Sequence, residues 1–152
     1  MEPTWTDRSP DQLSLAELHE ILALRNRVFV VEQECPYQDI DGLDLDHATR
    51  HLWAAVDNEI HAYARLRAPD ATTGRARIGR VIVAAAGRGQ QLGRRLMERA
   101  LAACADHWPD ADVTVAAQAH LQGFYASLGF VAEGEGYDED GIPHQDMTLT
   151  RA

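Results

Sequence analysis

The chemistry most legible in this chain lies in residues 80–96, RVIVAAAGRGQQLGRRL, where a β-branched apolar run breaks into a Gly/Arg turn and then opens an arginine-rich helix. A turn that exposes successive backbone N–H groups at a helix N-terminus holds a diphosphate. Those donors have no intrahelical partner, and the helix dipole adds positive potential. Arg88, Gly89, Gln90, Gln91, Leu92 and Gly93 form this cradle, with Arg94 beside it on the first helical turn. The chain is therefore expected to bind a phosphorylated cofactor.

Two other groupings suggest metals and fail on spacing. In DIDGLDLDH, Asp39, Asp41, Asp44 and Asp46 alternate like calcium ligands. With Asp39 as position one, however, the sixth and twelfth positions hold Asp44 and Arg50, where an EF-hand needs glycine and glutamate. The segment reads as a solvated turn or an amine-attracting rim. His47 and His51 have i, i+4 spacing, but His51 begins a strand pattern and HATRH lacks the glutamate of a metalloprotease motif. No metal site is expected, and Cys35 and Cys104, far apart in sequence, read as reduced structural thiols.

The 152 residues, 45% of them apolar, suit a single domain with one core, expected to span residues 1–152. A net charge of −10 argues against nucleic-acid or anionic-membrane partners, which attach through a Lys and Arg surplus, and suits an amine substrate better. No apolar run of about 18 residues appears, and MEPTWTDRSPDQ lacks a basic region followed by an apolar one, so a cytoplasmic location is expected.

The elements that must position the turn follow from periodicity. Ser14 and Glu17 form a capping-box signature, and Leu15, Leu18, Leu22 and Phe29 recur near helical spacing, predicting a helix over 14–31. Residues 35–51 read as an acidic loop. Residues 51–56 and 60–66 read as a hairpin around Asp57-Asn58-Glu59, and 77–84 as the next strand. A helix over 91–107 turns Leu92, Leu96, Ala100 and Cys104 inward, with Arg94, Arg95 and Arg99 facing elsewhere. A buried strand at 112–117 and a short helix at 120–128, closed by Gly129, come next. Strands at 130–133 and 145–150 close the chain, with GYDEDGIP as the loop between them. The order α, β, β, β, α, β, α, β, β indicates a mixed α/β domain.

VIVAAAGRGQQLG, followed about thirty residues later by FYASLGF, resembles the cofactor-binding core of the GNAT superfamily of N-acetyltransferases. RNRVFVVEQECPYQDIDGLDLD, together with AQAHLQGFYASLGF and DGIPH, resembles its ElaA-like branch. The resemblance implies an acyl-CoA N-acyltransferase fold: a largely antiparallel central sheet, splayed between the 77–84 and 112–117 strands, with helices on both faces. It also implies acetyl transfer from acetyl-CoA to a small-molecule or peptide amine by direct attack in a ternary complex. Dimers are common among such relatives, though one chain reveals no interface.

The same resemblance assigns roles. Val81, Ile82 and Val83 would offer unpaired backbone groups to the pantetheine arm like a substitute strand, with the Val81 N–H as oxyanion donor. Tyr125 matches the tyrosine that protonates the departing thiolate, and a core tyrosine packed beside Phe124 is the structural alternative. Glu32 or Glu34, closing the first helix, would take the amine proton, with His120 and His144 as further candidates. Arg27, Tyr37, His120 and His144 would line the acceptor pocket. Two positions depart from the superfamily pattern. Gln91 replaces the first turn glycine and is expected in helical φ/ψ pointing outward, and Gln118 stands where many relatives place asparagine seven residues before the tyrosine. Acidic loops at 35–50 and 133–144 favour a polyamine-like, lysine-like or aminoglycoside-like acceptor. The alternative reading is a catalytically idle acyl-CoA-binding or sensor module.

Overall fold

In the computed structural model, which describes residues 2–151, the sheet begins earlier than the sequence pattern indicates. β1 (Thr4–Arg8) runs antiparallel to β2 (Arg50–Val56), with Thr6 opposite Trp53. The pentapeptide TWTDR is too short and polar for its alternation to stand out. Its anchor is Trp5, which packs against the core and lies beneath the guanidinium groups of Arg95 and Arg99, 6.0 and 5.1 Å from the ring centroid.

Ser14 starts α1 (Leu15–Arg25) by accepting from the Glu17 N–H at 3.0 Å, while Glu17 accepts from the Ser14 N–H at 2.9 Å. The helix then widens into a π-type segment, Asn26–Glu32, ending near the predicted position. Its inward face differs from the expected one. Ile21, Leu24, Arg25 and Val28 are buried at i, i+3, i+4, i+7 spacing, whereas Leu15 is 88% exposed and Leu18, Leu22 and Phe29 are half-buried. The charged Arg25 within the stripe breaks the apolar pattern, and it is inside because its ionic partners lie beneath the helix.

β2 turns into β3 (Glu59–Arg67) through Asp57 and Asn58, both left-handed at φ 51° and 64°, which suits the tight turn of a right-twisted hairpin. β3 pairs antiparallel with β4 (Ala76–Val83). β5 (Val113–Gln118) lies on the other side of β4, and β8 (Ile142–Leu149) runs antiparallel to β5. β6 (Val131–Ala132) and β7 (Tyr137–Glu139) both pair with β8. The sheet order is β1-β2-β3-β4-β5-β8-β6, with β7 on β8. GYDEDGIP is thus not a loop: its Asp140-Gly141 turn, at φ 52° and 80°, closes a second hairpin.

α2 (Leu92–His107) lays Leu92, Leu96, Met97, Ala100 and Cys104 against one sheet face, where Ala54, Ala62 and Ala64 permit a close approach. Burial pushes the Cys104 thiol up to about 12, which makes it an inert packing group. α1 packs Ile21, Leu24 and Val28 against Trp53, Tyr63 and Ile82 on the opposite face. A tight turn, Ala119–Leu121, leads into α3 (Gln122–Ala126), whose Tyr125 joins the α2-side core.

Candidate active site

The site begins where two strands part. β4 and β5 are paired, in parallel, only at Ala76 with Val113 and Arg77 with Thr114. Beyond that pair, β4 has no neighbour on its β5 side. On its β3 side, Gly79 opposes Arg65 and Ile82 opposes Tyr63, so Arg80 and Val81 together face the single residue Ala64. This is a bulge, with Arg80 in the left-handed region at φ 50°. One inserted residue reverses the phase of a strand. Ala76 and Ile78 face α2, yet after the bulge Val81 and Val83 face α2 while Ile82 and Ala84 face α1. The Val81 backbone is left without a ladder partner on either side.

The gap opens a cleft of about 340 Å³ lined by Val81, Tyr125, Tyr37 and Arg77 and by Gln118 and His144, which are cross-strand partners on β5 and β8. Past Val83, β4 runs into the Gly/Arg turn. Gly87 is buried so tightly that a Cβ there would lie 2.9 Å from Leu92 Cδ2 and 3.1 Å from the His61 carbonyl oxygen. After the Arg88 N–H bonds to the Ala85 carbonyl, the next main-chain N–H with a main-chain acceptor is that of Arg95, on Gln91. Among the described residues, the N–H groups of 89–94 have no main-chain acceptor. Gln91 is not in the expected right-handed helical conformation: it caps α2 at φ 54°, ψ 24°, the left-handed geometry that a glycine adopts without strain. The reversal is needed because the chain must swing its amides outward before the helix starts. Arg94 donates to the Ser127 hydroxyl at 2.9 Å, tying the turn to α3.

Arg88 folds back to donate to the Val83 carbonyl at 3.0 Å and to Glu32 at 3.1 Å. Glu32 is therefore held at the turn, and neither it nor the exposed Glu34 lines the cleft. Arg27 and His120 are also exposed and outside the cleft lining. Tyr37, Gln118, Tyr125 and His144 are brought together. Tyr125 is 6% exposed, and burial pushes its phenol above the ordinary range, keeping it protonated at neutral pH. The Nδ1–H of His144 donates to the Ile142 carbonyl at 2.7 Å, since a carbonyl can only accept. Its Nε2 lies 3.6 Å from Glu139 on the adjoining strand.

The acidic 35–49 segment has a different role from the expected rim. Arg25, fully buried, donates to Asp39 at 2.8 Å and to Asp44 at 2.6 Å. Arg65 donates to Asp41 at 2.8 Å and to Asp44 at 3.0 Å, and Arg80 approaches Asp39 at 2.7 Å and Asp41 at 3.2 Å. Burial alone would raise these carboxyls, but the arginine hydrogen bonds prevail and hold Asp41 and Asp44 well below the usual carboxylate range. Asp39, Asp41 and Asp44 are consumed in fastening the segment to the sheet, so they neither ligate a metal as a loop would nor present free charge to a polyamine. Tyr37 donates to Asp39 at 2.7 Å from the same segment, and that bond, after burial, pushes its phenol upward. His51, a candidate ligand by spacing, is buried between the Tyr63 hydroxyl at 2.7 Å and the Asp44 carbonyl at 2.9 Å.

Glu139 and Asp140 of the expected 133–144 acceptor segment line the cleft, while the arginines 65, 67, 77 and 80 were not anticipated there. A signal existed in β3, where Arg65 and Arg67 stand two residues apart and so on one face of the strand.

The profile of the Acetyltransferase (GNAT) domain family matches residues 10–151. Protein ElaA of Escherichia coli K12 is 50% identical over 143 residues, covering 94% of each chain. The crystal structure of an acyl-CoA N-acyltransferase from Pseudomonas aeruginosa superposes with a TM-score of 0.94 at 50% identity, over 97% of this chain and 99% of that one. The crystal structure of Escherichia coli ElaA gives 0.92 at 48% identity, over 97% and 99%. Among the described residues, no helix is long and apolar enough to cross a membrane. With the family profile matched over residues 10–151 and half of the aligned residues shared with ElaA, the chain belongs to the GNAT acetyltransferase family, in its ElaA-like branch.

Proposed function

We propose that this acyltransferase moves acetyl from acetyl-CoA to a primary amine by direct attack in a ternary complex. The observation that carries the reading is the parting of β4 from β5 directly ahead of a row of N–H groups without main-chain acceptors. Both features fit the coenzyme: the row suits a diphosphate, and the open β4 edge suits a pantetheine arm. Gln118, on the opposite wall, can exchange hydrogen bonds with an amide of that arm. When bound, the thioester supplies an activated acetyl group. Every other requirement falls to side chains and backbone of this protein.

The Val81 N–H, free of the ladder, is the donor available to the carbonyl oxygen as charge develops there. Tyr125 supplies the proton for the leaving thiolate, its burial ensuring that it arrives protonated. For removal of the amine proton, the arrangement favours His144 over Glu32 and Glu34. His144 lines the cleft with Nδ1 bonded to the Ile142 carbonyl, and Glu139, 3.6 Å from Nε2, would stabilise an imidazolium formed there. Glu32, held by Arg88, belongs to the coenzyme end instead.

Coenzyme titration calorimetry and free-thiol release from acetyl-CoA against an amine panel test the proposal. Arg88→Ala is expected to weaken coenzyme binding, and Tyr125→Phe and His144→Ala to lower kcat by about 10²-fold with coenzyme affinity retained. Coenzyme binding with no amine turned over would favour the idle sensor reading. Absence of coenzyme binding would overturn both.

A further inference from the structure

The floor of the cleft, at the apex where β4 and β5 still touch, carries an arrangement that the transfer reaction does not use. Arg67 on β3 and Arg77 on β4 are direct cross-strand partners. Opposed like charges on one face of a sheet repel, and such a pair persists at a cost unless a counter-charge lies between them. The neighbouring arginines have theirs: Arg65 is neutralised by Asp41 and Asp44, and Arg80 by Asp39 and Asp41. Arg77 makes no ion pair or hydrogen bond among the described residues. Arg67 reaches only the half-exposed Asp46, at 3.4 Å, and its buried Nε has no partner there either. Both line the cleft, on the α1 side of the sheet, opposite the side that carries α2 and Tyr125.

An acceptor entering from the α1 side would meet this pair. We infer that the acceptor is a primary amine that also carries an oxyanion, and that Arg67 and Arg77 bind that oxyanion. Two guanidinium groups provide several donors in planar forks that match the oxygens of a carboxylate or phosphate. The bound anion removes the repulsion across the strands. This inference rests on the proposed transferase reading and deepens it. It also reverses the polycationic expectation, because the acidic residues that suggested it are already paired.

The test uses the whole protein and acetyl-CoA, with thiol release as readout. Each natural amino acid is compared with its decarboxylated amine, O-phosphoethanolamine with ethanolamine, and spermidine stands as the polycation. At least one oxyanion-bearing amine should be acetylated with kcat/KM tenfold or more above its matched uncharged-tail partner. The carboxylate and phosphate arms tell which oxyanion is preferred. For that substrate, Arg77→Gln and Arg67→Gln should each raise KM about tenfold or more, with Arg77→Lys recovering part of the loss, while KM for the matched amine stays unchanged. Arg77 is exposed and its charge opposes that of Arg67, so Arg77→Gln should unfold at or slightly above the parent's temperature. Preference for spermidine or the decarboxylated amines overturns the inference, as does equal loss toward both members of a pair, or failure of every oxyanion-bearing amine in a protein that acetylates another amine of the panel. A protein that takes up no coenzyme, or binds it and acetylates nothing, would fail the transferase reading instead, and the titration together with the full panel separates the two cases.

Discussion

Gln91 occupies the left-handed region immediately before α2, at the position where the usual superfamily turn has glycine. An L-residue there carries a strain of about 1–2 kcal/mol, from which the extra backbone entropy of an unfolded glycine must be subtracted. Gln91→Gly is therefore expected to raise stability by about 0.5–1 kcal/mol in denaturant titration and to leave coenzyme affinity intact, since the amide and not the side chain is the donor. A loss of affinity in that variant would mean that the glutamine amide itself touches the coenzyme. The residue type was legible as a departure from the pattern, but its handedness was not, because left-handed geometry in a non-glycine residue leaves no local signature. Tyr125 was legible from FYASLGF. The place of His144 in the cleft, on which its proposed role as base rests, follows from the pairing of β8 with β5 and not from any local pattern.

At the scale of elements, the strand–turn–helix unit carries most of the site. Gly87 is the point at which it closes on the rest of the molecule, with Leu92 on one side and His61 on the other. Gly87→Ala should cost about 1–3 kcal/mol through overpacking and should weaken coenzyme binding, because the displaced backbone carries the amides with it. Stability loss without any change in coenzyme affinity would separate the turn from the binding site. The long periodic elements could be read from sequence: α2 buried Leu92, Leu96, Ala100 and Cys104 as expected, and the β2–β3 hairpin turned where Asp57 and Asn58 indicated. The short elements could not. β1 is a polar strand of five residues whose pairing is decided by partners far away in sequence, Trp53 opposite Thr6 among them, and β7 has three polar residues, too few for alternation to show. The β4 bulge likewise depends on its β3 partner, so no pattern within RIGRVIV announces the change of phase.

At the scale of the molecule, a net charge of −10 hides a sheet face rich in arginine. The acidic segment 35–49 is bound down by Arg25, Arg65 and Arg80, and its composition suggested a solvent-facing rim because ionic partners 14 to 41 residues apart are invisible in a linear reading. The network gives the fold a pH dependence with a definite sign. Burial lowers the His51 pKa, so the folded state binds fewer protons than the unfolded one in mildly acidic solution. The contribution of His51 is complete above the unfolded value of about 6.5 and is lost as pH falls from there toward the folded value, at up to about 1.4 kcal/mol per pH unit. His51→Gln should show a flatter decline between pH 6.5 and 5 in denaturant titrations than the parent. An equal slope would mean that other groups carry the acid sensitivity. Asp41 and Asp44, whose folded pKa values are lowered, stabilise above about pH 4 and withdraw that support as pH falls further through their folded values.

The central claim is that the main-chain amides of residues 89–94 hold the diphosphate of the coenzyme. Titration of the ¹⁵N-labelled protein with acetyl-CoA, followed through its backbone amide resonances, tests it most directly. The account expects the largest shifts at Gly89 to Arg94, with smaller ones along Val81 to Val83 and at Gln118. Saturable binding that leaves the 89–94 amides unmoved would contradict it.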